Sequence, residues 1–289
     1  MTQDNSRQSG LVQADVIVNT VAHVIGVGAV GYNVVRLIAA AGVTMLNLVD
    51  PDSVEERNVA TQGFHRMMVG RTKVGAALYE LAQRAVSLDD FQDLWNNIED
   101  DHDGTGQMRH SSELKHLKDA ISDAWTEEDA EPRTRIRTSM ARFKPMDLMC
   151  SVDIANHVVF SCVDDMAVRR QIFEAAQVGH FNRRVFIDCR MGRTNLRVLT
   201  INLGSAEDVA YYRSTLFAQE AGMDGGCTAR GTLYSASVIA GIAVSQAVCA
   251  LHGQWLPHAR DILFNLTGME LIANGTVDPV GAGASAEAG

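Results

Sequence analysis

"HVIGVGAVGYNVVRLIAAAGVTMLNLVD", residues 23–50, contains two β-rich runs separated by a glycine-rich turn and a helix-like run, and it ends in an acid. Apolar, β-branched runs bounded by glycine are typical of strands buried on both faces of a parallel sheet. Gly26, Gly28 and Gly31 have the G-x-G-x-x-G spacing of a turn that places phosphates at a helix N-terminus. Asp50 follows the second run, where a carboxylate can accept hydrogen bonds from ribose hydroxyls. The stretch predicts an α/β fold with a Rossmann-like sheet that binds a nucleotide.

The composition limits the class of protein. A chain of 289 residues with 46% hydrophobic content can bury a large core, and we expect one domain over residues 1–275 followed by a disordered tail, 276–289. The sequence lacks a continuous apolar run of about 18 residues and a signal-peptide pattern, so a cytoplasmic protein without a membrane span is expected. The five cysteines include no C-x-x-C pair, which predicts free thiols and no structural metal.

The negative charge of the chain is concentrated in one segment. Residues 86–132 hold 14 of the 35 acidic residues and three bases, a local net charge of −11 against −10 for the whole chain. Two apolar patches with helical spacing flank a glycine-containing centre, so we predict a partly helical insertion at about 86–133. A solvated surface flap is favoured over a docking site for a basic partner, and nucleic acid would be repelled.

A specific resemblance begins at Asp50. "LVDPDSVEERNVATQGFHRMMVGRTKVGAA", residues 48–77, resembles the segment of the ThiF/MoeB/ubiquitin-activating-enzyme superfamily that reads D-x-D-x-V-x-x-S-N-L-x-R-Q and then G-x-x-K. Asp50 matches the ribose-binding acid of that segment, Asn58 the asparagine, Gln62 the glutamine and Lys73 the phosphate-binding lysine.

A second match lies downstream. "VVFSCVDDMAVRRQIFEAA", residues 158–176, resembles the family's V-V-D-C-x-D-N-x-x-x-R segment and places Asp164 at the magnesium-binding position. Arg169 matches the helix arginine, whereas Ser161 and Asp165 replace an acid and an asparagine. Residues 183–203 and 225–251 resemble the following strand pair and the late small-residue helix, so the resemblance covers about residues 20–85 and 134–252.

The resemblance implies a mostly parallel sheet flanked by helices and extended by further strands, as in the adenylation fold of this family. It implies an ATP-dependent adenylyltransferase that uses Mg²⁺ to activate the C-terminal carboxylate of a small ubiquitin-like or sulfur-carrier protein ending in Gly-Gly. It also implies a homodimer. The implied catalytic residues are Lys73, Asp164, which is also the metal ligand, and Cys227; the implied nucleotide contacts are Gly26, Gly28, Gly31, Asp50, Asn58 and Lys73.

Several of these residues have a purely structural alternative. Lys73 can be a solvated lysine at a helix start, Asp164 or Asp165 can cap the helix that follows, and Asn58 can be a turn residue. Cys227 precedes a predicted helix, whose N-terminus would lower the pKa of its thiol, but free cysteines are commonly buried hydrophobes. Both interpretations of Cys227 stay open.

One position departs from the family pattern. Thr61 stands where the family has a phosphate-binding arginine, and Arg57, Arg66 and Arg71 are the nearby bases in the sequence. This departure keeps a non-catalytic ATP-binding partner protein as an alternative function. The glycine turn taken alone also allows an NAD-dependent oxidoreductase.

Overall fold

The computed structural model describes residues 14–85, 110–125, 135–148, 156–178, 183–217, 232–255 and 260–273. Among these residues eight strands form one sheet, in the order β3-β2-β1-β4-β5-β6-β7-β8. The first five strands in that order are mutually parallel, and β6, β7 and β8 extend the sheet by antiparallel pairing. The predicted fold class is therefore confirmed. The strands are β1 (Thr20–Ile25), β2 (Met45–Val49), β3 (Arg135–Ser139), β4 (Asn156–Ser161), β5 (Arg183–Gly192), β6 (Asn195–Asn202), β7 (Asp261–Asn265) and β8 (Glu270–Ala273).

Helices cover both faces of the sheet. The described helices are α1 (Ala14–Val18), α2 (Ala29–Ala40), α3 (Glu56–Gln62), α4 (Lys73–Ala85), α5 (His110–Trp125), α6 (Met166–Ala176), α7 (Ala206–Ser214) and α8 (Leu233–Leu251). Apolar side chains of α2, α4, α5 and α8 form one core cluster with the sheet, and those of α6 and α7 form a second cluster. Successive residues of β5 alternate between the two clusters: Val185 and Ile187 belong to the first, and Phe186 to the second. Burial on both faces explains the nearly continuous apolar character of the central strands.

The helix α8 is long and apolar. It has 19 residues, and an 18-residue window within it has a mean hydropathy of 1.6, enough by length and composition alone to cross a membrane. It packs against α2, β5 and β6, and Ala236, Ala240, Ala243 and Ala247 lie fully buried in this contact. The close approach of these small residues to the sheet is that expected of a core helix.

Within the acidic insertion, the interpretation as a surface flap is wrong for the described helix, α5. Leu117 and Ile121 of α5 are fully buried, and they join the core cluster that α4 contributes to. Burial of two large apolar side chains makes α5 a layer of the core rather than a solvated excursion. Residues 86–109 and 126–134 lie outside the described residues, as do residues 1–13 and the predicted tail.

Two buried histidines connect the central strands. The Nε2 atom of His23 lies 3.1 Å from Nδ1 of His157, and the Nδ2 atom of Asn47 lies 3.0 Å from Nδ1 of His23. Burial lowers the pKa of His23 to about 3, with His157 and Arg137 adding to the effect, and burial lowers the pKa of His157 to about 4. Both imidazoles are therefore neutral in the folded protein near neutral pH.

These histidines predict that the protein loses stability in mild acid. In the unfolded chain their pKa is near 6.5, so below that pH the unfolded state binds protons that the folded state does not. Their stabilising effect is complete above about pH 6.5 and is lost progressively as the pH falls toward the folded values. We expect a loss of about 2 to 4 kcal/mol between pH 7 and pH 5, measured by urea unfolding at each pH. A His23→Gln/His157→Gln variant should show a flatter dependence; an unchanged slope would contradict this origin.

Candidate nucleotide-binding site

A cleft opens at the carboxyl ends of β1, β2 and β4. Its volume is about 1000 Å³, enough for a nucleotide together with part of a second substrate. In a parallel sheet the carboxyl ends of neighbouring strands meet at one edge, which is where ligands bind in open α/β folds. The predicted residues that line the cleft are Gly26, Gly28, Asp50, Asn58, Lys73 and Asp164. The structure therefore brings together groups that are up to 138 positions apart in the sequence.

The glycines of the turn meet different constraints. Gly26 has a φ of +89°, and a Cβ on this residue would lie 2.8 Å from the carbonyl oxygen of Cys162. A Cβ on Gly31 would lie 1.8 Å from the carbonyl oxygen of Gly26, so no side chain fits there. At Gly28 the nearest atom would be Oε1 of Gln62 at 3.7 Å. Gly26 and Gly31 are thus required by the fold itself, whereas Gly28 leaves open space in the cleft.

Asp50 connects two loops of the cleft. Its Oδ2 atom accepts the backbone N–H of Val27 at 2.6 Å, and Oδ1 accepts that of Asp52 at 2.8 Å. Burial raises the pKa of Asp50, and the nearby Lys73 ammonium opposes this shift. A carboxylate has about four acceptor sites, so two remain for hydroxyl groups of a ligand. Asp50 therefore fixes the glycine turn against the end of β2 whatever else it binds.

Lys73 begins α4 and is almost completely buried, with 7% of the residue exposed. Its Nζ atom lies 2.7 Å from Oδ2 of Asp52, whose side chain is 63% exposed. A buried ammonium is costly unless it is paired. A lysine in this position is not a solvated helix-start residue; it presents a fixed positive charge at the wall of the cleft.

Asn58 and Gln62 lie on α3, beside the glycine turn. The Oδ1 atom of Asn58 accepts the backbone N–H of Glu55 at 2.8 Å and completes a capping box at the start of the helix. This bond orients the amide so that its Nδ2 donor group remains for a ligand. The Oε1 atom of Gln62 is buried without a hydrogen-bond partner among the described residues, which is unusual for a buried polar atom in the absence of a ligand or water.

The adjacent acids Asp164 and Asp165 have different environments. Asp165 is the N-cap of α6, where its side chain accepts the backbone N–H of Val168 at 2.9 Å. Asp164 is exposed and lines the cleft. Mg²⁺ is commonly held by one or two carboxylates together with substrate phosphates and water, so Asp164 fits the ion, provided that a triphosphate supplies further oxygens. No group of three or more His, Cys, Asp and Glu side chains that could hold a metal alone occurs in the described part of the chain.

Arg169 has a structural environment. Its guanidinium is buried, forms an ion pair with the buried carboxylate of Asp188 and donates to the carbonyl oxygens of Val163 and Cys189. Asp188 also accepts the hydroxyl of Tyr212 at 3.0 Å. Arg169 therefore orders the loop that carries Asp164 instead of presenting a free charge to a ligand.

Only part of the arginine cluster near Thr61 in the sequence reaches the cleft. Among the nearby arginines named from the sequence, only Arg57 lines the cleft; Arg66 is paired with Glu56. Arg142 lines the cleft as well and was missed by the sequence analysis. It lies in "RIRTSMARF", residues 135–143, where three arginines occur close together and no pattern distinguishes one of them.

The cysteines are only partly described. Cys227 falls in residues 218–231 and Cys150 in residues 149–155, both outside the described residues. Cys162, Cys189 and Cys249 are free thiols, as predicted. Cys189 is buried, and Cys162 and Cys189 both line the cleft.

The comparisons with known proteins agree with this geometry. The ThiF family model matches residues 5–277. The structure of PaaA is 16% identical, with a TM-score of 0.57 over 93% of this chain and 67% of that chain. E. coli MccB with ATP is 11% identical, with a TM-score of 0.55 over 91% of this chain and 65% of that chain. E. coli MccB with AMPCPP and MccA is also 11% identical, with a TM-score of 0.53 over the same shares of the two chains.

At these identities the solved structures show a shared fold, and this chain spans about two thirds of their length. A search of curated proteins gives no match. The family model, in contrast, extends over nearly the entire sequence, including the glycine turn and the segments that contain Lys73 and Asp164. The chain therefore belongs to the ThiF family.

Proposed function

We propose that this protein is an ATP-dependent adenylyltransferase that converts the C-terminal carboxylate of a peptide or small protein into an acyl-adenylate. The observation that carries the proposal is the convergence of the glycine turn, Lys73 and Asp164 on one cleft. A dinucleotide-dependent hydride transfer has no need for a buried ammonium and an unengaged carboxylate beside the phosphate turn. A triphosphate requires both kinds of group, because its charge must be neutralised before another anion can approach it.

The reaction joins two anions. A carboxylate oxygen of the acceptor attacks the α-phosphorus of ATP, a new O–P bond forms, and the bond to the bridging oxygen of the β-phosphate breaks. Pyrophosphate leaves with the electron pair, and the product is a mixed anhydride. When bound, Mg²⁺ would neutralise charge on the phosphate oxygens, and Asp164 would hold it. Lys73 and the N-terminus of α2 stabilise the charge that develops on the leaving phosphates.

The remaining residues position the nucleotide. The two free acceptor sites of Asp50 bind ribose hydroxyls, and the Nδ2 donor of Asn58 binds a ribose or phosphate oxygen. The unpaired Oε1 atom of Gln62 accepts a hydrogen bond from the ligand. Each of these groups is held in place by bonds to the backbone or by burial, so little reorganisation accompanies binding.

The acceptor we propose is a small ubiquitin-like or sulfur-carrier protein with a C-terminal Gly-Gly. Two glycines without side chains can extend a carboxylate into a narrow cleft. MccB, which shares the fold, has been crystallised with MccA, which supports a peptide or small-protein acceptor. In this proposal the activated carboxyl group passes to the thiol of Cys227, and the enzyme acts in the cytoplasm as a homodimer.

The experiment is substrate-dependent exchange of labelled pyrophosphate into ATP, with candidate carriers ending in Gly-Gly. Exchange that depends on the carrier, and that stops when its terminal glycine is removed, is the expected result. A Cys227→Ser variant should retain exchange and fail to form a thioester with the carrier. Two results together would overturn the proposal. The first is that none of the carriers supports pyrophosphate exchange, and the second is that NAD binds more tightly than ATP and Mg²⁺ in titration calorimetry.

Thr61 favours a second candidate, a non-catalytic ATP-binding partner protein. This function predicts that ATP binds to the wild type but that Lys73→Ala and Asp164→Ala variants leave the cellular role intact. The adenylyltransferase predicts loss of that role in both variants. Complementation of a deletion strain with the two variants separates the candidates.

A further inference from the structure

Four cationic side chains line the cleft in the described part of the chain, namely Arg57, Lys73, Arg142 and Arg169. Three of them have an acidic partner. Lys73 is paired with Asp52, Arg57 with Glu55 and Arg169 with Asp188. Arg142 is exposed, and no carboxylate of the described residues lies within ion-pair distance of it.

An unpaired guanidinium in a cleft is available to a ligand. A cationic side chain that already has a carboxylate partner contributes less to binding a new anion. Either the existing ion pair must be broken, or the anion must bind close to the carboxylate. The guanidinium of Arg57 is 2.7 Å from Glu55, so a phosphate near Arg57 would also approach a carboxylate. Arg142 imposes neither of these costs.

The segment around Arg142 is held on both sides. The carbonyl oxygen of Ser139 accepts the backbone N–H of Asp50 at 3.1 Å, and the carbonyl oxygen of Asp147 accepts the Nδ2 donor of Asn47 on β2. The first of these bonds ties the end of β3 to the residue that also holds the glycine turn. Arg142 therefore projects from a loop whose position relative to the phosphate turn is fixed.

From these observations we infer that Arg142 binds the triphosphate and supplies the positive charge that the family pattern places at position 61. The inference rests on the proposed function, because it assigns the ligand of that same cleft. Arginine suits this task because its planar guanidinium can donate two parallel hydrogen bonds to phosphate oxygens. In this chain the positive charge therefore lies on the loop after β3 instead of on α3. At the α3 position the hydroxyl of Thr61 donates to the carbonyl oxygen of Arg57 at 2.8 Å.

Titration calorimetry with ATP and Mg²⁺ tests this assignment. Arg142→Ala should raise the Kd for ATP roughly ten- to hundredfold and leave the Kd for adenosine near that of the wild type. Arg57→Ala is the matched control, since it removes a guanidinium from the same cleft; it should leave both values near the wild type. Both arginines are exposed, so equal melting temperatures are expected and should be verified.

The double variant Arg142→Ala/Thr61→Arg gives an independent result. Thr61 is exposed and lines the cleft, so an arginine can be accommodated there and should restore most of the lost ATP affinity. Unchanged ATP binding by Arg142→Ala would overturn the inference while leaving the proposed function intact, and so would failure of the second substitution to restore binding. Absence of ATP binding by the wild type would overturn both.

Discussion

Replacing Lys73 with methionine is expected to lower the rate of carrier-dependent pyrophosphate exchange by about a hundred- to a thousandfold. Methionine keeps the unbranched apolar stem in its buried site and removes only the charge. The ammonium of Lys73 lies against the cleft beside Asp50 and Asp52, so its loss leaves two carboxylates near the bound triphosphate. The attack of one anion on another then lacks one of its protein-derived positive charges.

A Lys144→Met variant is the control for this experiment, because Lys144 is exposed and does not line the cleft. Exchange by the control should equal that of the wild type. The folded state of Lys73→Met must first be verified by its unfolding transition, since Asp52 loses its partner. Exchange by folded Lys73→Met at the wild-type rate would remove this lysine from the proposed mechanism.

The parts of the fold that follow from local sequence were predicted correctly. The run from β1 through the glycine turn to α2 and β2 is contiguous, and each boundary has a local cause. Gly28 is the N-cap of α2, and Gly42, with a φ of +100°, follows its last turn. Thr232 caps α8 through a hydrogen bond from the backbone N–H of Ser235. Such signals lie within a few residues of the structure that they determine.

The features that were missed depend on strand order and register. His23 and His157 are 134 positions apart and meet only because β1 and β4 are neighbours. The core position of α5 depends on its packing against α4, which a charge count over the acidic segment does not show. Arg142 reaches the cleft because β3 pairs with β2 at the edge of the sheet. Neither composition nor periodicity in a single sequence encodes these pairings.

The two glycines of the turn should respond very differently to the same added methyl group. Gly31→Ala is expected to destabilise the protein by about 3 kcal/mol or more, because its Cβ would lie 1.8 Å from the carbonyl oxygen of Gly26. That oxygen belongs to the backbone of a turn that is held by the Asp50 carboxylate and by the backbone N–H of Cys162, which donates to the carbonyl oxygen of Ile25 at 2.8 Å. The overlap can be relieved only by displacing α2 from the sheet. Urea unfolding should show the loss directly, and low yields of folded protein are expected.

Gly28→Ala should leave the fold within about 1 kcal/mol of the wild type, since φ at this residue is −82° and the nearest atom to the new Cβ would be 3.7 Å away. The methyl group would instead occupy the part of the cleft where phosphate must approach the backbone closely. We expect at least about tenfold weaker binding of ATP, measured by calorimetry on protein of verified stability. Wild-type affinity in Gly28→Ala would mean that the triphosphate does not lie over this turn, and the assignment of the cleft to ATP would then lose its structural basis.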